Sequence, residues 1–170
     1  GGLVGYHSTD GTIEDSYWDN GTTNQSAGVS ATAGTVTNLV GFGVPADDTP
    51  ASEMRGRSAL TAMDRLGFDT PWTAVDGYPR LAWSVDDLDF ALASDTLTAG
   101  ESTDPTVTLT LVDGTTVTAA TTSEYTSNDT SVATVDDATV RATGAGAALL
   151  TAGRAGVTDT ASLSVVAAPS

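Results

Sequence analysis

The chain has 170 residues, with 22 acidic side chains against six basic ones, all six of them Arg, for a formal net charge of −16. It has no Cys, hence no disulfide and no thiolate chemistry. It has no basic stripe to neutralise phosphates, which argues against nucleic acid as a partner, and no apolar run near the roughly 18 residues of a membrane span.

The acid is spread evenly. Residues 1–84 carry ten acids and four Arg, and residues 85–170 carry twelve acids and two Arg. Such a surface repels itself in dilute buffer and is tolerated where salt screens it, with a Debye length of about 3 Å at 1 M. This points to an extracellular protein of a salt-loving organism. Hydrophobic residues make up 39% and aromatics only 6%, so the expected core is built from Ala, Val and Leu. The chain opens Gly1-Gly2 without a basic n-region, so no signal peptide is read, and a start inside a Gly-rich motif implies a piece of a longer protein.

Taken in order, Gly1-Gly2-Leu3-Val4-Gly5-Tyr6 and Gly11-Thr12-Ile13-Glu14-Asp15-Ser16-Tyr17-Trp18 are short apolar strands bounded by Gly. His7 to Asp10 form the turn between them. Gly34-Thr35-Val36 and Leu39-Val40-Gly41-Phe42-Gly43 echo the same chemistry. Strands this short bury no face alone and imply stacked coils. Thr49-Pro50-Ala51-Ser52-Glu53 reads as a helix start, with Thr49 as N-cap and Pro50 first inside. Met54, Ala59, Leu60, Met63 and Leu66 form its apolar face, with a break at Gly56 and a stop at Gly67. Trp72–Val75 and Tyr78–Trp83 form a hairpin around an Asp76-Gly77 turn. In this reading Trp72, Leu81 and Trp83 close the open end of the stack, since an uncovered β edge invites aggregation.

Ser84 to Asp87 reads as a joint. Short strands follow over residues 88–92, 96–99, 106–111, 115–119, 131–135, 138–143, 147–152 and 160–166. Regular short strands with turn punctuation predict an all-β sandwich. Val107, Leu109 and Leu111 share one face, as do Leu163 and Val165.

Two resemblances rest on these residues. Gly1-Gly2-Leu3-Val4-Gly5-Tyr6 followed by Gly11 to Asp19 resembles the GLUG motif of bacterial and archaeal surface proteins, whose repeats are taken to form β-helix-like stacks. Ser16-Tyr17-Trp18-Asp19, Glu53-Met54, Phe68-Asp69, Trp72-Thr73 and Tyr78-Pro79-Arg80-Leu81-Ala82-Trp83 follow the order of that family's final repeat, with one clear repeat present. The second half resembles a bacterial immunoglobulin-like domain of group 2. Its motifs stand as Leu97-Thr98-Ala99-Gly100-Glu101, Asp113-Gly114-Thr115, Tyr125-Thr126-Ser127, Ser131-Val132-Ala133-Thr134-Val135, Val140-Arg141-Ala142 with Gly144-Ala145-Gly146, and Leu163-Ser164-Val165. Ala138-Thr139 stands where that family usually has Gly before the Val-x-Ala strand. The resemblances imply an all-β chain with a terminal β-helix-like segment, short helix and hairpin cap over 1–83, a linker at 84–87 and an immunoglobulin-like β-sandwich over 88–170. They imply a non-catalytic, structural or adhesive module of an exported cell-surface protein. Its partners would be other surface-protein copies or cell-surface glycans. The alternatives are a fragment of a polysaccharide-acting β-helix enzyme, or a viral or filament subunit.

No residue is assigned a catalytic role. His7, the lone His, is expected exposed in its turn, without the partners of a triad or metal site. Acidic pairs such as Glu14/Asp15, Asp47/Asp48 and Asp136/Asp137 follow from composition. A glycosidase needs two carboxylates set apart in a cleft. Asp86, Asp87 and Asp89 offer hard oxygen ligands to Ca2+, without an EF-hand or nonapeptide pattern; no other cofactor is implied. Asn20-Gly21-Thr22, Asn24-Gln25-Ser26 and Asn128-Asp129-Thr130 are N-glycosylation sequons. Trp18, Trp72, Tyr78 and Trp83, with Tyr17, form either a sugar-stacking platform or core and cap.

Overall fold

The computed structural model describes residues 2–68 and 70–169; Gly1, Asp69 and Ser170 of the motifs and ranges above lie outside them. The chain is all-β apart from short helical turns. It divides into two compact units, one ending at Phe68 and one running from residue 70 onward.

The first unit holds β1 (Val4–His7), β2 (Thr12–Asp19), the single-turn helix α1 (Asn20–Thr23), β3 (Val29–Thr32) and β4 (Thr35–Phe42). A 3-10 turn at Ser52–Met54 and the helix α2 (Gly56–Ala62) complete it. Pairing is parallel throughout: Val4 lies beside Val29 and Tyr6 beside Ala31, while Thr12 lies beside Thr35 and Asp19 beside Phe42. Two strands per turn of chain, each stacked on its counterpart one turn later, make two coils. Both coils bend at one register position. Asp15 and Asn38 take left-handed φ of 46° and 52°, and the Asn38 side chain donates to Asp15 Oδ1 at 2.7 Å. Short polar side chains tolerate that backbone region best.

Small residues set the spacing of the coils. The Trp18 indole lies over Gly2, Gly28 and Gly41, and a Cβ on Gly28 would come 2.8 Å from the ring. On Gly41 it would overlap the ring outright. Gly41→Ala is therefore expected to destabilise this unit by about 1–3 kcal/mol through overpacking. Urea unfolding followed by Trp fluorescence checks it, and an unchanged midpoint would show that the indole gives way.

The helical segment behaves as its pattern demands, with shorter limits than expected. Ala51, Met54, Ala59 and Met63 are buried and pack with Tyr17, Phe42, Leu66 and Phe68. Leu60 is only partly buried, and Met63, not Gly67, caps α2. Thr49-Pro50 does not start it: Gly56, expected as a break, is its first residue, at φ 57°. Tyr17 stacks on Phe42 with centroids 6.0 Å apart, and its hydroxyl accepts from the Arg65 backbone N–H at 3.2 Å.

The second unit begins with the hairpin β5 (Trp72–Thr73) and β6 (Arg80–Leu81), then β7 (Val85–Leu92), β8 (Thr96–Thr98), β9 (Ser102–Thr103) and β10 (Pro105–Leu111). It continues with β11 (Thr116–Thr118), β12 (Glu124–Ser127), β13 (Ala133–Asp136), β14 (Thr139–Ala142), β15 (Gly146–Arg154) and β16 (Val157–Val166). One sheet runs β11-β10-β7, a second β12-β15-β16-β8, and a third, small one β13-β14-β9. Alternation fills the core: Val107, Leu109 and Leu111 from β10, Leu88 and Phe90 from β7, Ala148, Leu150 and Ala152 from β15, Leu163 and Val165 from β16. Across the core, Phe90 meets Tyr125 in a tilted ring contact at 5.9 Å, and the Phe90 N–H donates to Asp159 Oδ2 at 2.9 Å.

The hairpin differs from its expected form. Only Trp72–Leu81 and Thr73–Arg80 pair, so residues 74–79 are loop and Asp76-Gly77 is no two-residue turn. The reason is a competing use of that segment. Val75 is 1% exposed within the second unit's core. The Asp76 carboxylate accepts from the Ala120 and Thr121 backbone N–H groups at 3.1 and 3.2 Å. Arg154 Nε donates to Thr73 Oγ1 at 2.8 Å and to the Ala74 carbonyl at 3.1 Å. Motif order had put residues 70–83 in the first module; their anchoring puts them in the second unit. Residues 84–87, read as a joint, pass from a 3-10 turn at Ala82–Ser84 into β7.

Candidate functional site

The predicted aromatic residues have separate fates. Trp18 is half-buried on its glycine steps, with Nε1 donating to the Gln25 carbonyl at 3.4 Å. Trp72 is half-buried in β5, Tyr78 is exposed at the hairpin loop, and Trp83 is 69% exposed. Trp72 and Trp83 share a shallow cleft of about 270 Å³ with Pro79, Arg80, Leu81 and Ser84. Tyr78 does not line it.

Within this cleft the Ser84 hydroxyl donates to the Leu81 carbonyl at 2.6 Å, so the polar group left to face a ligand is the exposed Arg80 guanidinium. Asp113 feels the Arg80 charge. Its side chain accepts from Thr115 Oγ1 at 2.6 Å and from the Thr115 backbone N–H at 2.9 Å. Those bonds hold its carboxyl below the usual Asp value, with a smaller contribution from the Arg80 charge. The chemistry available is stacking and ion pairing, since the Ser84 hydroxyl is spent on the Leu81 carbonyl.

The sequons are presented unequally. Asn20 opens α1 with its side chain turned in, Nδ2 donating to the Gly43 carbonyl at 3.3 Å and Oδ1 buried. Asn24 is exposed at the left-handed C-cap of α1. Asn128 is exposed, and its Oδ1 accepts from the Leu149 N–H at 2.7 Å.

His7 was expected exposed in a turn. It ends β1 at 7% exposure, with Nδ1 3.1 Å from Thr32 Oγ1, its register partner. Gly11 and Gly34 crowd the ring. It is buried because parallel stacking lays the next coil over it, and no local pattern announces that.

Asp19, the end of the Ser16-Tyr17-Trp18-Asp19 motif, is the one buried acid among the described residues of the first unit. It is 6% exposed. Oδ1 accepts from the Thr22 N–H at 3.0 Å, capping α1, and Oδ2 from the Ala51 N–H at 2.7 Å. The available signal was an Asp one residue before Asn-Gly-Thr-Thr, an N-cap pattern.

Asp86, Asp87 and Asp89 are exposed along β7, and among the described residues no three His, Asp or Glu side chains group to hold a metal. No described helix is long and apolar enough to cross a membrane.

No protein-family model matches the chain. It is 43% identical over 81 residues to Halomucin of Haloquadratum walsbyi, a stretch amounting to 48% of this chain and 1% of that protein.

Proposed function

We propose that the chain is a structural module of a cell-surface protein of a halophilic archaeon, exposed outside the cell and adhesive through glycans or further copies of such proteins. The observation that carries this is the 43% identity with Halomucin, and the evenly acidic surface at net charge −16 supports it independently. The parallel two-strand coils support a GLUG-type β-helix segment. Sheets sharing one core support an immunoglobulin-like domain. So does the Tyr125 hydroxyl, which donates to the Ala120 carbonyl upstream at 2.7 Å, the corner bond common in such sandwiches.

The test is labelling of intact cells carrying the protein with an antibody raised to this chain, beside permeabilised cells. Signal on intact cells is expected; signal only after permeabilisation would overturn the surface assignment. Release of new reducing ends from a polysaccharide panel in molar salt would overturn the non-catalytic assignment.

The sequons fit this location, and the geometry orders them. Glycopeptide mapping of native material is expected to find Asn24 and Asn128 modified and Asn20 bare, because the Asn20 amide is engaged with Gly43. A glycan on Asn20 alone would reverse that order.

A further inference from the structure

We propose that the cleft beside the β5–β6 hairpin binds an anionic saccharide unit, a uronate. Trp72 and Trp83 supply ring faces and Arg80 pairs with the carboxylate. This rests on the surface reading above and narrows it to one site and one ligand chemistry.

The first ground is the exposure of Trp83, at 69%. A single exposed apolar residue means little. Here a second indole, Trp72, shares the same concavity, and a cation completes it. Flat aromatic faces suit the C–H face of a pyranose ring. A guanidinium fork matches a carboxylate bidentately, a geometry Lys cannot reproduce.

The second ground is charge. The chain has six Arg against 22 acids, and one of the six, Arg80, is exposed at this cleft. Among the described residues Arg80 makes no salt bridge. Asp113 feels the Arg80 charge, and both bonds shown to its carboxylate come from Thr115. At molar salt the Debye length is about 3 Å, so repulsion between the acidic chain and an acidic polymer is screened except at contact. At contact the one charged residue lining this cleft is Arg80. A neutral saccharide would use the two indoles and leave Arg80 idle.

The test uses the full chain and polygalacturonate in molar, calcium-free sodium chloride, beside the same polymer fully methyl-esterified. Affinity electrophoresis reads retention. The acid polymer is expected to be retained at least about tenfold more strongly than the ester, with Trp83→Ala and Arg80→Gln each weakening retention by about tenfold. Asp113→Asn, which keeps an acceptor for Thr115, is expected to strengthen it. Trp83 and Arg80 are exposed, so both variants should keep the parent circular dichroism. Equal retention of the two polymers, or retention unchanged in both weakening variants, would overturn the anionic site. Retention of the ester alone, lost in Trp83→Ala, would overturn this inference and leave glycan contact standing. Retention of neither polymer would overturn the inference, while the surface assignment is decided separately by cell labelling.

Discussion

Between low salt and molar sodium chloride the melting temperature of the chain is expected to rise by about 10 °C or more, taking 4–8 °C per kcal/mol for units of this size. The first unit carries eight acids against three Arg and the second fourteen against three. Neither has the cations to pair its carboxylates. The Arg65–Asp15 pair is 3.6 Å long with both side chains about half exposed, a geometry that contributes little. Asp86, Asp87 and Asp89 crowd one strand, and Asp136 and Asp137 sit together at the β13–β14 connection. Their mutual repulsion is a penalty on the folded state that salt removes. The second unit, with the larger excess, should gain more. Calorimetry in sodium chloride, with sucrose as a control, separates the causes, because sucrose strengthens effective burial without screening charge. A melting temperature flat in salt, or rising equally in sucrose, would defeat the charge account.

Asp19→Ala is expected to cost about 3 kcal/mol, from the loss of two charge-assisted hydrogen bonds and from the Ala51 N–H being left unpaired in a buried place. The first unit has little margin to absorb this. Its fully buried apolar core is Ala51, Met54, Ala59 and Met63, and a unit below about 70 residues rarely holds more than 3–5 kcal/mol. The consequence is loss of the first unit's cooperative transition. The second unit keeps its own core and should keep its own transition. Asp19→Asn keeps one acceptor and should cost roughly half as much. Urea unfolding read by Trp fluorescence and by far-ultraviolet circular dichroism follows the two units. Wild-type unfolding in Asp19→Ala would show that the Ala51 and Thr22 bonds are dispensable.

Asp19 also shows how far a motif is legible. The string Ser16-Tyr17-Trp18-Asp19 is visible in the sequence, yet each member has a different task. Tyr17 stacks on Phe42, Trp18 covers glycines from both coils, and Asp19 joins α1 to the segment before the 3-10 turn. Those partners lie 10 to 32 residues away, beyond any local pattern. The matched bend at Asp15 and Asn38 was more accessible, since two residue types that tolerate left-handed backbone recur 23 positions apart.

The hairpin and its register are legible in the sequence, since Trp72–Leu81 and Thr73–Arg80 are the pairs a turn at Asp76-Gly77 implies; the missing inner rungs are not. Two strands separated by Asp-Gly read as a tight turn because local chemistry permits one. The segment instead spends Val75 on the core and Asp76 on the Ala120–Thr121 backbone. The same hairpin carries Trp72, Arg80 and Leu81 of the cleft, so the proposed site is built on a segment anchored by long-range bonds that propensity does not encode.

The sequence by itself determined the β class, most strand positions of the second unit (β9 and β12 were missed), its alternating core and the uniformly acidic charge. All of these follow from residue type and period along a single strand. Tertiary structure decided which unit owns the hairpin, that His7 is buried, that Trp18 lies on glycine while Trp83 faces solvent, and that Asn20 is turned inward. Burial of a side chain is set by what the fold lays across it, and for these residues the covering atoms come from distant positions in the chain.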